Sequence, residues 1–458
     1  MTRRTLRGIG VVLVAVMPLV VPAQDAEPES QTDREKLEEL DQKVRVLERK
    51  AELEAETAAE QAKKQAQVSI GKDGFAFRSA DGAYALRVRG YVQVDGVAFV
   101  DDTQIPGVDT MLIRRARPIL EGTVGRIVDF RLMPDFGNGR TVLYDAWVEF
   151  KFHPLAKLRA GKYKPPVGLE RLQSATDILF IIRAAPTLLV PTRDVGVQLH
   201  GDWREGLLNY AVMVENGVPD GASADVDTND GKEIAARLFA HPFKNAGRAM
   251  FRGIGVGLAG SAGQNTGTVA SPALPSYRSP GDRTVFAFLS DGTAEGTAFA
   301  DGSRERLSPQ AYWYAGRVGV LTEYVRSSQE VRLDTSRANL DNAAWQVAIG
   351  VLLTDDVSSF RGVSPRKPFV AKGPGAGAFE LAARWSELDV DDDTFPVFAD
   401  PARSVTGLSE WAVGVNWYLS RNARIALNYD CTRFDGGAAD GADRETENVI
   451  LSRFQVSF

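Results

Sequence analysis

The chain has 458 residues and a mean hydropathy of -0.18, values that exclude a bundle of transmembrane helices. Its 54 basic and 60 acidic side chains give a formal net charge of -6, which argues against a nucleic-acid-binding protein. The single cysteine, Cys431, excludes an internal disulfide framework and the paired thiolates of a zinc or iron–sulfur site. The high glycine content, 43 residues, favours one large sheet over several soluble domains.

Residues 1–23 are expected to be a signal peptide. Three arginines precede an apolar run over residues 9–21, and Ala23 provides the small residue that a signal peptidase requires. The run is shorter than a spanning helix and is interrupted by Pro18, so a membrane anchor is disfavoured. We predict cleavage after Ala23.

Residues 24–70 are expected to form a charged helical segment. The stretch 31–67 lacks glycine and proline and is rich in Glu, Lys, Arg, Gln and Ala, the composition of an exposed helix. Apolar residues recur there at alternating spacings of three and four, as in a coiled-coil seam, at Leu37, Leu40, Val44, Leu47 and Ala51. Because a lone helix of this quality is marginal in water, we expect several chains to associate through it. A charged flexible spacer is the alternative.

Residues 71–458 are expected to form a β-barrel. From Tyr84 onward the apolar residues recur with period two, so that one face of each segment is apolar and the other is charged. The alternation predicts sixteen strands, near residues 84–100, 111–122, 126–136, 142–152, 155–163, 193–203, 207–215, 232–241, 249–260, 305–316, 318–330, 342–354, 377–389, 408–420, 422–433 and 446–458. An even number of strands allows antiparallel closure. The predicted fold class is an all-β transmembrane antiparallel β-barrel preceded by a short coiled-coil helix.

The connections and the final strand indicate the outer membrane of a Gram-negative bacterium. Tight turns alternate with long polar loops, which is the pattern of barrels in contact with outer-membrane lipid. The link 355–375 departs from this alternation of connections, since it is long yet falls on the side of the short turns. An error of register in the predicted strands would explain the departure. Phe458 follows an alternating apolar strand, and we expect it to act as the sorting signal for the barrel-assembly machinery.

One block of sequence is similar to a known family. Residues 158–172, LRAGKYKPPVGLERL, resemble the hallmark of the phosphate-selective porins O and P, and residues 177–183, 193–201 and 304–327 continue the resemblance. Membership would imply a homotrimer of sixteen-stranded barrels without a cofactor. In each barrel the third outer loop, 164–192, would fold inward and constrict the pore, and Arg and Lys side chains would guide small anions such as phosphate.

The residues themselves support an inward position for this loop. It contains the apolar runs 178–182 and 188–190, which would be unfavourable on a solvated surface. Strand parity and the loop together supply the predicted pore-lining, anion-binding cations: Arg87, Arg89, Arg115, Arg117, Arg131, Arg159, Lys164, Arg171 and Arg183. The planar guanidinium of arginine matches phosphate oxygens and keeps its charge.

Carboxylates on the same faces leave the sign of the field in the pore open. They could neutralise the cations, and they are Asp95, Asp129, Asp135, Asp145, Glu149, Glu170 and Asp177. A passive, anion-preferring channel is the favoured function. A weakly selective diffusion porin is the first alternative, and a structural or adhesive barrel with a periplasmic coiled coil is the second.

No catalytic residue and no metal ligand is predicted. Residues 225–231 resemble the start of a calcium loop, but Ala236 stands where a glutamate is needed, so a solvated loop is expected. His200 has no second ligand at metal-binding spacing, and its expected neighbour in the lumen, Gln198, is not a carboxylate that could orient it. We therefore predict that the protein is not an enzyme.

Overall fold

The structure is a computed structural model that describes residues 31–71, 74–103 and 107–458. The predicted signal peptide lies outside these residues. No helix within the described ranges is both long and apolar enough to cross a bilayer.

The first element is a long helix, α1 (Gln31–Lys64), which belongs to a separate unit from the chain that begins at Ala66. Ion pairs one turn apart support it, such as Lys43 Nζ to Glu39 Oε1 at 2.7 Å. Its apolar seam is exposed, with Leu37 and Leu40 each more than half accessible. The predicted helix is confirmed, and its pairing into a coiled coil stays a prediction.

The remaining chain forms a closed sixteen-stranded antiparallel barrel, which confirms the predicted fold class. The barrel strands are β3 (Ala85–Val100), β4 (Thr110–Val124), β5 (Val128–Asp135), β6 (Val142–His153), β7 (Ala156–Tyr163), β8 (Asp194–Trp203), β9 (Leu208–Glu215), β10 (Glu233–Ala240), β11 (Ile254–Thr266), β14 (Phe299–Ala315), β15 (Val318–Leu333), β16 (Ser336–Leu352), β17 (Ala378–Asp389), β18 (Val405–Tyr418), β19 (Ala423–Gly436) and β20 (Glu447–Ser457). The other elements are β1 (Gln67–Gly71), β2 (Gly74–Arg78), β12 (Ser276–Arg278), β13 (Thr284–Ala287) and the single-turn helices α2 (Leu169–Leu172) and α3 (Ala249–Arg252). Three short 3-10 helices lie at Ala185–Leu189, Asp392–Thr394 and Ala439–Gly441.

Two partners share the edge of β3 at which the barrel closes. β20 pairs with its outer part, with Ser457 opposite Tyr91, and the hairpin β1–β2 pairs with its beginning, with Phe75 opposite Val88. Between them, Gly90 and Phe458 exchange two backbone hydrogen bonds of 2.9 Å. The hairpin corrects the sequence prediction, which placed most of β1 in the helical segment. Each strand of the hairpin has only five residues, too few for the alternation to stand out in the sequence.

Several predicted connections are also corrected. The predicted outer link 331–341 is only a two-residue turn, at residues 334–335, because β15 and β16 extend farther outward than predicted. Their outer ends carry polar residues on both faces, so the alternation that marks a strand is lost there. The long inner link is real and spans residues 353–377, so no register error is needed to explain it. The long loop 267–298 contains the small hairpin β12–β13.

The loop 164–193, between β7 and β8, lies inside the barrel. Phe180 packs against Ala348, Ala382 and Ala412, which are lumen-facing residues of three neighbouring strands. Ile181 packs in the same way against residues of β19 and β20. Small side chains on the wall thus make room for the apolar run of the loop, and the run is buried without contact with lipid.

Candidate functional site

A cavity of about 1330 Å³ occupies the lumen between this loop and the wall formed by β3–β10, to which β18–β20 also contribute. The inner link also reaches it, through residues 357–364. Of the side chains that line the cavity, thirteen are Arg or Lys and four are Asp or Glu. A low-dielectric wall lined mainly by one sign of charge focuses the field in the aqueous space, so the cavity is strongly electropositive.

On the wall, two arginines contact the ring of Tyr144. The guanidinium carbon of Arg117 lies 3.6 Å from the ring centroid and that of Arg193 lies 4.4 Å from it. Each guanidinium also donates to a carboxylate, Arg117 to Asp135 at 2.7 Å and Arg193 to Asp145 at 2.6 Å. The stack and the ion pairs together fix the position of both cations.

Three further wall arginines share a single carboxylate. Glu121 accepts from Arg89 at 2.9 Å, from Arg131 at 2.9 Å and from Arg87 at 3.5 Å. One negative charge cannot cancel three positive ones, and the one further carboxylate that pairs with this group among the described residues is Asp145, whose Oδ2 atom lies 3.6 Å from Arg131 Nη1. The sequence left neutralisation by carboxylates open; here it is only partial, and Glu121 was not among the carboxylates considered for it.

Farther along the wall, Glu149 joins Arg159 to His200. Its Oε2 atom lies 2.8 Å from Arg159 Nε and 2.7 Å from His200 Nε2. Sequence reasoning considered only Gln198 as the neighbour of His200 and missed this carboxylate, because Glu149 lies two strands away on β6 and reaches His200 on β8 across β7. Since Arg159 holds the same oxygen, this contact belongs to the cationic network of the wall.

The cations of the loop are bound by backbone carbonyls. Lys164 Nζ donates to the carbonyl oxygen of Gln173 at 2.7 Å, and Arg183 Nη2 donates to the same oxygen at 2.9 Å. Arg171 donates to the carbonyl of Thr187. Carbonyl partners orient a cation without cancelling its charge. Burial and the nearby Arg193 and Arg183 hold the pKa of Lys164 well below its ordinary value.

Eight of the nine predicted cations line the cavity. The exception is Arg115, whose Nη1 atom donates to Gln93 Oε1 at 2.8 Å. Sequence reasoning did not select five further cations that line the cavity, which are Arg193, Arg237, Arg361, Arg421 and Arg424. Strand parity would have found Arg237 and Arg424, whereas Arg361 lies in an irregular link that carries no periodic signal.

Two aspartates of the predicted solvated loop 225–231 form ion pairs with lysines outside the loop. Asp227 Oδ2 lies 2.6 Å from Lys232 Nζ, and Asp225 Oδ1 lies 2.5 Å from Lys162 Nζ. In the part of the chain that the structure describes, no three His, Cys, Asp or Glu side chains are arranged to hold a metal ion.

Comparison with known proteins identifies the family of the chain. The sequence profile of the family described as phosphate-selective porin O and P matches residues 85–458, the whole barrel. The chain belongs to this family. It is therefore an outer-membrane porin of the Gram-negative type, with a barrel that forms a channel. No curated protein matches this porin.

Solved structures share the fold of this porin at low identity. The outer-membrane channel DcaP of Acinetobacter baumannii is 12% identical, with a TM-score of 0.53 over 85% of this chain and 99% of that one. The anion-selective porin from Comamonas acidovorans is 10% identical, with a TM-score of 0.52 over 82% and 100%. OmpT of Vibrio cholerae is 11% identical, with a TM-score of 0.50 over 82% and 98%.

Proposed function

We propose that this porin is a passive, anion-preferring channel that admits small anions of the phosphate type. The observation that carries the proposal is the excess of thirteen cationic over four anionic side chains around the cavity. The family description and the anion-selective porin from Comamonas acidovorans support it.

The loop 164–192 would constrict the pore and present the cations that meet the permeating anion. Lys164, Arg171 and Arg183 are the best candidates because their contacts are carbonyl oxygens, which carry no net charge and so do not neutralise the cations. The wall arginines, which share carboxylates, would form a series of weaker sites. A series of moderate sites suits conduction, because each site must release its ion to the next.

The assembled protein would be a homotrimer. The exposed apolar seam of α1 favours self-association through a coiled coil, since burial of Leu40 and Leu47 against other helices would stabilise an otherwise marginal helix. Phe458, which closes the barrel against Gly90, would be the sorting signal read by the barrel-assembly machinery.

Single-channel recording in planar bilayers tests the function. Under a potassium chloride gradient we expect the reversal potential to show preference for chloride, and we expect added phosphate to block the chloride current. A reversal potential that shows preference for potassium would refute the anion channel. Equal permeability would favour the weakly selective porin, and the absence of conductance steps would favour a structural barrel.

A further inference from the structure

The inner link enters the lumen and touches the loop 164–193 at two points. Gln173 Nε2 donates to the carbonyl oxygen of Phe360 at 2.7 Å. Nearby, Gly362 has a φ of 80° and lies so close to Asp177 that an added Cβ would stand 3.2 Å from its Oδ1 atom. A left-handed conformation and a close approach both favour glycine. The link therefore meets the loop along one defined path.

The backbone of the link is held on both sides of Phe360. Before it, the amide of Ser358 donates to the carbonyl oxygen of Gly316, in the neighbouring inner turn, at 2.8 Å. After it, the amide of Arg366 donates to Asp356 Oδ1 at 2.6 Å, which ties the two limbs of the link together. The position of the Phe360 carbonyl is thus fixed by contacts outside the loop.

The ring of Phe360 packs on an aromatic platform at the inner end of the wall, formed by Phe239, His241, Tyr312 and Tyr314. The ring centroids of Phe360 and Tyr312 are 5.0 Å apart with an interplanar angle of 21°, and Tyr314 meets the ring at 6.5 Å. Tyr312 is itself fixed, because its hydroxyl lies 2.7 Å from His241 Nε2, and His241 Nδ1 lies 2.8 Å from the carbonyl oxygen of Gly206. That carbonyl needs a donor, so Nδ1 carries the proton and, in the neutral ring, Nε2 accepts from the hydroxyl.

The same platform packs against the loop. Leu169, at the start of α2, is fully buried in a cluster with Phe239 and Leu321, and Tyr312 and Phe360 pack against this cluster. Loop, link and wall therefore share one apolar cluster. Removal of the Phe360 ring would leave a gap beneath the loop at this end.

Gln173 connects the link to the cations of the loop. It is 5% exposed, and its amide nitrogen uses both hydrogens, on the carbonyl oxygens of Phe360 and, at 3.1 Å, of Asp177. Its own carbonyl oxygen accepts from Lys164 and Arg183. Two positive charges that meet at one oxygen repel each other, so the pair depends on a carbonyl that is held in place.

We propose that Phe360 and Gln173 are positioning residues for anion binding, since the inner link holds Gln173 and Gln173 holds Lys164 and Arg183 together. The inference rests on the proposed function, in which these two cations meet the permeating anion. Neither Phe360 nor Gln173 carries a charge, so their effect on anion binding passes through the cations that they position. The inner side of the barrel thereby takes part in setting the affinity for phosphate.

Phosphate block of the chloride current tests the inference. In Phe360→Ala we expect the half-blocking concentration to rise by roughly threefold or more, the effect of about one lost neutral hydrogen bond. Gln173→Leu, which keeps most of the bulk but cannot donate, should act in the same direction. The matched control is Phe369→Ala, which removes a ring of the same link that packs on Trp417 and does not line the cavity. The control should leave the block unchanged.

A double variant distinguishes positioning from a general loss of stability. If Phe360 acts through Gln173, the block in Phe360→Ala/Gln173→Leu should be no weaker than in the weaker of the two single variants, whereas independent effects would multiply. Heat-modifiable migration confirms that each barrel has folded, and Phe360→Leu takes the place of Phe360→Ala if that variant does not fold.

The same recordings separate the failure of this inference from the failure of the channel function. If the native channel prefers chloride and is blocked by phosphate, equal block in Phe360→Ala and Phe369→Ala would overturn the positioning role and leave the anion channel standing. Effects that multiply in the double variant would do the same. A native channel that prefers potassium, or that phosphate does not block, would overturn the proposed function and the inference with it.

Discussion

At the scale of single residues, the cations of the lumen fall into two groups according to their partners. Arg87, Arg89 and Arg131 share the carboxylate of Glu121, so their charge is partly cancelled. The loop cations donate to carbonyl oxygens, which hold the cation in place but carry no net charge. The second group should therefore dominate the affinity for a permeating anion.

Removing two loop cations should weaken anion binding. In the double variant Arg171→Ala/Arg183→Ala, we expect the concentration of phosphate that half-blocks the chloride current to rise by at least roughly tenfold, since a hydrogen bond to a charged group contributes about 1.5–3 kcal/mol. Single-channel block measures the change. Arg126→Ala/Arg252→Ala, two arginines that do not line the cavity, is the control and should leave the block unchanged. An unchanged block in the first variant would mean that other cations bind phosphate.

The buried lysine predicts a pH dependence. Because the pKa of Lys164 is lowered, this side chain loses its proton, and with it a positive charge, at a lower pH than an ordinary lysine. The phosphate block should weaken as the pH rises, and the loss should begin well below the ordinary lysine pKa of about 10.4. Block measured against pH checks this, and Lys164→Gln should show a weaker block that stays flat over the same rise in pH. A native profile as flat as that of the variant would contradict the shift.

The sequence predicts the lumen residues of regular strands well and those of irregular segments poorly. Arg117 and Arg159 follow from the two-residue period, because alternate side chains of a strand face opposite sides. Arg361 lies in a link with no period, and Arg115, beside a bulge in β4, donates to the lumen-side Gln93 and does not line the cavity. The contact between His200 and Glu149 depends on register between strands, which one sequence does not determine.

At the scale of elements, the loop 164–193 is held by an apolar anchor. Phe180 is 1% exposed, packs on three alanines of the wall and lies under the guanidinium of Arg384. The apolar run within the loop indicated such burial, whereas the alanines that receive it look ordinary in the sequence. Complementarity of this kind depends on the fold and cannot be read from composition.

Weakening the anchor should loosen the constriction. Phe180→Ala leaves a cavity beneath the loop at a cost of about 3 kcal/mol or more, so the loop should leave its bound position more often. We expect larger single-channel conductance and greater open-channel noise. Phe243→Ala removes an exposed ring of the same size and serves as the control. If conductance and noise match the native channel in both variants, the loop does not limit the current.

The helix α1 should contribute to the stability of the assembly. Leu40→Lys with Leu47→Lys places charges in the proposed coiled-coil seam, where burial would otherwise be favourable, so the proposed trimer should dissociate at a lower temperature. Native electrophoresis after stepwise heating measures this temperature. Glu38→Lys with Glu48→Lys changes exposed positions off the seam and should have a smaller effect. Equal shifts in the two variants would indicate a charged spacer.

For the whole molecule, net charge and pore charge have opposite signs. The chain carries -6 in total, yet the cavity is lined by a large excess of cations. Folding achieves this separation by directing alternate strand residues inward and by folding a cationic loop into the lumen. Selectivity therefore depends on the local field and should respond to salt.

Raising the ionic strength should reduce the preference for anions. The screening length falls from about 30 Å at 0.01 M salt to about 3 Å at 1 M, so at high salt most of the lumen lies beyond the reach of the wall charges. Reversal potentials measured under the same tenfold gradient should show a strong preference for chloride when the gradient is centred at low salt and a weak one at high salt. The permeation of a neutral sugar, measured by liposome swelling, should be unchanged. A permeability ratio that does not vary with salt would place selectivity in one tight, desolvated site, and the distributed excess of cations would then not be its source.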